Sequence, residues 1–77
     1  MHVDEIRRHI ERDPFRPSRL HLSDGNVRVI SDPDLIFVTR HTVMVGNRQS
    51  GEVISDYADY YDPIHITQVE TMVEPQN

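Results

Sequence analysis

The sequence predicts a small α+β protein, mainly β, with one short N-terminal helix and a strongly bent antiparallel sheet or small barrel of about five strands. Three observations carry this. An apolar periodicity close to 3.6 runs through the first dozen residues and stops at a proline. An Asp-Gly pair sits between two alternating runs, and further β-branched runs are separated by proline and glycine turns.

At 77 residues, the chain has room for one hydrophobic core. The expected organisation is a single domain over 1–77, with a helix at about 3–12, a β-meander at about 18–72 and a frayed tail at 73–77. Val3, Ile6 and Ile10 share one helical face, while Asp4, Glu5, Arg7, Arg8, Glu11 and Arg12 occupy the other. Pro14 ends the helix, because the residue before a proline is pushed out of the α region. Pro14-Phe15-Arg16-Pro17 then reads as an extended connector.

Arg19 to Ser23 and Asn26 to Ile30 flank Asp24-Gly25, the favoured pair for a two-residue type I′ hairpin turn. That loop pairs Leu22 with Val27 and Leu20 with Val29, gathering four apolar residues on one face and leaving His21 beside Arg28 on the other. Ser31-Asp32-Pro33-Asp34 is a turn cluster. Segment 35–45 reads either as one strand after an apolar turn or as a hairpin around Arg40-His41, in which Ile36 and Val38 face Val45 and Val43. Phe37 and Met44 then meet on the opposite side. Neither Arg40 nor His41 suits a primed turn. Residues 46–51 form a polar loop, Glu52 to Tyr57 a strand, Asp62 to His65 a turn with one 3₁₀ cycle, and Ile66 to Met72 the last strand.

The net charge of −5 gives no general attraction to nucleic acid or anionic membranes. Charge is unevenly spread: Arg7, Arg8, Arg12, Arg16 and Arg19 crowd the first quarter, whereas no base follows Ser50 and six acids do. The absence of cysteine closes the disulfide and thiolate-metal routes to stability, leaving self-association for so thin a core. Charged residues where a signal peptide would need an apolar core, and no apolar run near membrane-spanning length, point to the cytoplasm without membrane contact.

Three stretches taken together, Pro14-Phe15-Arg16-Pro17 into Leu20-His21-Leu22-Ser23-Asp24-Gly25, then Asp32-Pro33-Asp34-Leu35, then Asp62-Pro63-Ile64-His65-Ile66, resemble a family of small uncharacterised bacterial proteins. The resemblance spans most of the chain and implies no activity. The chain departs from the family pattern at Ser18, where an aromatic residue is usual, and over Tyr57 to Tyr61. Its element order is also similar to SH3-like and Sm-like small barrels, and Gly46-Asn47 resembles the glycine-asparagine turn of the Sm-like RNA-binding fold.

Five histidines, His2, His9, His21, His41 and His65, lack the spacing that aims imidazoles at one ion. His65 is expected to cap a turn through the backbone. Glu52, Asp56, Asp59 and Asp62 do not match a calcium loop and read as a solvated acidic edge. No nucleophile motif or phosphate loop is present, so the expectation is a non-enzyme with no cofactor and no metal. The leading expectation is a self-associating, homo-oligomeric protein-interaction module using Phe37, Met44, Tyr57, Tyr60 and Tyr61. The alternative is a barrel that binds nucleic acid through Arg7, Arg8, Arg12, Arg16 and Arg19.

Overall fold

The computed structural model describes residues 1–47 and 57–72. Helix α1 spans Val3–Ile10, and its first turn is capped by His2, whose Nδ1 accepts from the Asp4 amide at 3.2 Å. It ends two residues short of the expected boundary at 12. Ile10 is the last apolar residue of the periodic face, so nothing beyond it anchors another turn to the core. Ile6 is fully buried, with Val3 and Ile10 half-buried beside it.

Strands β1 (Ser18–Leu22) and β2 (Val27–Ile30) form the expected hairpin, but in a different register. Leu20 lies opposite Arg28, and His21 opposite Val27. The loop has three residues, closed by Gly25 N donating to Leu22 O and Leu22 N donating to Asn26 O. Gly25 has φ +92° and no non-glycine among the described residues has positive φ, so the two positive angles of a type I′ turn are not met. Instead Asp24 is fixed by its own side chain, which accepts from the Asn26 amide at 2.9 Å, and Gly25 supplies the single left-handed residue. The one-residue slip exchanges the faces of β2. Val27 and Val29 stand exposed, and Arg28 turns inward on the Leu20 side.

A 3₁₀ turn at Pro33–Leu35 follows, with Asp32 Oδ1 accepting from the Asp34 amide. Strands β3 (Ile36–Val38) and β4 (Val43–Asn47) pair as a hairpin, Ile36 with Val45, Phe37 with Met44 and Val38 with Val43. The awkward Arg40-His41 loop is solved by Thr39. Its hydroxyl accepts from the amides of His41 (3.3 Å) and Thr42 (3.0 Å), and its own amide donates to Thr42 O. A side-chain oxygen thus replaces the backbone geometry that neither loop residue favours.

Strand β5 (Tyr57–Tyr61) lies where no complete strand was expected, and it pairs with β4. The strand expected over Glu52 to Tyr57 falls, apart from Tyr57, outside the described residues, as does most of the 46–51 loop and the tail at 73–77. The Pro63–His65 3₁₀ turn, capped by Asp62, leads into β6 (Ile66–Thr71).

These strands make two three-stranded antiparallel sheets, ordered β2-β1-β6 and β3-β4-β5, that do not close into a barrel. The proline-led 3₁₀ turn interrupts the chain between β2 and β3, where a barrel would carry one bent strand around the corner. Ile6 of the helix joins Leu20, Ile30, Val69 and Ile66 of the first sheet to Ile36, Val43 and Val45 of the second in one core. Helix α1 packs on β6 of one sheet and β3 of the other, so it fastens the two along one side. No helix among the described residues is long and apolar enough to cross a membrane.

Candidate interaction surface

Alternation along β3, β4 and β5 sends Ile36, Val38, Val43 and Val45 into the core and Phe37, Met44, Gly46, Ala58 and Tyr60 to the opposite face. Register places Phe37, Met44 and Tyr60 in a single row across all three strands. Phe37 is 62% exposed and Tyr60 69%, and the helix lies against the other face of this sheet. One step along the strands the next row holds Gly46 opposite Ala58. Two large side chains and a methionine thus form a ridge, and two of the smallest residues form a hollow beside it. The hollow has a volume of about 410 Å³ and is bordered by Leu35, Phe37, Met44 and Tyr57, with Asp34 at its edge. None of the five outward residues is charged.

Of the residues singled out from sequence, Phe37, Met44 and Tyr60 come together, and Tyr57 stands at the rim of the hollow. Tyr61 does not join them. It is half-buried against the core, with its hydroxyl 3.5 Å from Arg28 Nη1.

Of the five N-terminal arginines, Arg8 and Arg16 stand exposed, and the other three meet partners. Arg7 pairs with Glu11 at 3.2 Å, Arg19 with Glu70 at 3.3 Å, and Arg12 donates to the Thr71 hydroxyl. On that side of the first sheet His21 Nε2 also meets Glu70 at 3.1 Å. Hydrogen bonds from His21 and then Arg19 hold the Glu70 carboxyl below its ordinary range.

The strongest polar constellation is one that sequence reading did not find. Arg28 of β2 donates from Nη1 to Asp59 Oδ2 of β5 at 2.5 Å and from Nη2 to Asn47 Oδ1 of β4. Asn47 Nδ2 completes the ring by donating to Asp59 Oδ2 at 2.9 Å. The bonds from Asn47 and then Arg28 lower the Asp59 pKa. Asp59 is therefore a structural acceptor between sheets and not part of a loose acidic edge. The signal was available only in the hairpin register, since Arg28 reaches Asp59 only when it points inward.

His65 Nδ1 lies 3.3 Å from Ser23 Oγ, while the Ser23 amide donates to His65 O. The imidazole thus meets a hydroxyl, and its carbonyl takes the backbone bond the ring was expected to make. This contact ties the first hairpin loop to the second 3₁₀ turn. Both residues are exposed, so the contact lies on open surface.

A wider cleft of about 880 Å³ opens between the start of α1 and the β3–β4 loop. Its lining mixes Asp4 and Asp62 with Arg7, Arg40, His2 and His41. Among the described residues, no three histidine or carboxylate side chains gather in a metal-holding group. Comparisons with protein-family models, curated proteins and solved structures gave no match, so the functional reading stands on these residues alone.

Proposed function

We propose that the protein is a non-catalytic interaction module that self-associates through the outer face of the β3-β4-β5 sheet. The observation that carries this reading is the Phe37–Met44–Tyr60 row, apolar across three strands and uncovered by the helix. An uncovered apolar patch of this kind is the usual mark of an interface. A second copy suits it for an electrostatic reason. Each chain carries −5, so two copies repel over most of their surfaces and meet at least cost along the uncharged rows of Phe37, Met44 and Tyr60 and of Gly46 and Ala58, with Asp34 left at the edge. Val27 and Val29 are also exposed, but they share their face with Arg19, His21 and Glu70.

Light scattering over a range of concentrations tests the reading, with Phe37→Ser as the control. The average mass is expected to rise towards a dimer for the parent and to stay monomeric for the variant. A monomer at every concentration, or association indifferent to Phe37→Ser, refutes it.

A further inference from the structure

We infer that two copies pack with the ridge of each seated in the hollow of the other, an arrangement that rests on the self-association proposed above. Ridge and hollow lie side by side on one face, separated by two residues along each strand, or about 6.8 Å. A two-fold axis lying in the interface, running across the strands and passing between the two rows, exchanges them. Tyr60 of one copy then stands over Ala58 of the other and Met44 over Gly46, while Phe37 covers the border of the hollow near Leu35.

The same operation applies to both copies, so every ridge contact is made twice, as a closed isologous interface requires. It also runs the strands of the two faces antiparallel, which is compatible with the aligned packing of twisted sheets at a separation of about 10 Å. Without the offset, bulky rows would meet bulky rows and the hollows would be left as voids. A face only three strands wide makes a small contact, of the class that gives reversible, concentration-dependent dimers.

The chain has no cysteine, so single thiols report the arrangement directly. Tyr60→Cys and Ala58→Cys chains would be prepared separately and mixed, then joined by a short thiol-bridging reagent at a concentration where the parent is dimeric, because thiols on faces about 10 Å apart are too distant for a direct disulfide. The expected product is the mixed cross-link between positions 60 and 58, formed at least ten-fold faster than the cross-link of either variant with itself. The mixed pair keeps one intact Tyr60–Ala58 contact, so the reporter does not abolish the dimer. As a second measurement, Ala58→Phe fills the hollow from the outer face and should weaken dimerisation at least ten-fold with its melting temperature held near the parent's. A parent dimer with no preference for the 60–58 bridge, or one unaffected by Ala58→Phe, overturns the ridge-in-hollow arrangement while leaving self-association standing. A monomeric parent overturns both.

Discussion

Arg28 and Asp59 join the two sheets on the side that the helix does not reach: a guanidinium from β2 meets a carboxylate from β5 at 2.5 Å, with Asn47 bonded to both. The core is thus fastened twice, by Ile6 on one side and by this polar ring on the other. Charge-assisted bonds are stronger than neutral ones, and planar guanidinium fits two acceptors at once. Arg28→Lys should therefore lower the melting temperature, since an ammonium cannot reach Asp59 and Asn47 in the same geometry. Thermal unfolding of this variant beside the parent is the check.

The same ring sets an acid dependence. The Asp59 carboxyl titrates below its ordinary value of 3.8 in the folded chain because Asn47 and Arg28 donate to its charged form. A depressed folded pKa adds stability that is fully present above the unfolded value and is lost as pH falls through the folded one. Stability should accordingly decline as pH drops from about 4 downward, and Glu70 adds to the fall in the same direction. Asp59→Asn removes one titrating group. Its unfolding free energy, lower than the parent's at neutral pH, should fall less steeply in this acid window, and equal slopes would show that the carboxylate is not held by the ring.

Among the described residues, Gly25 is the one whose φ, +92°, lies in the left-handed region. Nothing lies within 4 Å of a Cβ added there, so substitution is opposed by backbone strain and not by a clash. Gly25→Val should cost about 1–2 kcal/mol, a drop of several degrees in melting temperature for a domain of this size. Gly25→Asn should lose less, because asparagine tolerates the left-handed region. If both variants melt alike, strain is not the cause.

Thr39 offers an independent test of loop chemistry. Thr39→Val keeps the shape and the β-branch but removes the oxygen that accepts from His41 and Thr42. The expected loss is about 0.5–1.5 kcal/mol, the net value of an intramolecular hydrogen bond. Thr39→Ser should recover most of it, and denaturant unfolding of the pair distinguishes hydroxyl from methyl.

The helix, the existence of the first hairpin and the second 3₁₀ turn were legible because each has a local cause: periodicity, glycine, proline, alternation. Segment 35–45 was open between one strand and a hairpin, because Arg40-His41 suits no primed turn; the hairpin alternative carries the observed register, with Phe37 and Met44 outward. The first hairpin misled because its apolar alternation favours a register other than the observed one. Alternation alone favoured Val27 and Val29 inside, whereas Asp24 bonding to the Asn26 amide selects a longer loop. From that slip followed the hidden part of the structure, the inward turn of Arg28 and its ring with Asn47 and Asp59. The division into two sheets was also beyond local reading, because it depends on which distant strands pair, β1 with β6 above all.

The register itself is open to a mutational test in which two residues of one hairpin give opposite outcomes. Leu20 is fully buried and Val27 is 47% exposed, although the two-residue loop would place both in the core. Leu20→Ala removes buried methyl groups and leaves a cavity, at a cost of about 2–5 kcal/mol. For a chain this small that approaches the whole stability of the fold, about 5 kcal/mol at the low end for native proteins. Val27→Thr replaces an outward methyl by a hydroxyl in contact with water and keeps the β-branch that a strand favours, so its effect should stay within about 0.5 kcal/mol. Denaturant melts of the two variants make the comparison. A large loss for Val27→Thr would return Val27 to the interior, turn Arg28 outward and dissolve its bond to Asp59, so the outcome bears on the inter-sheet ring as directly as on the hairpin.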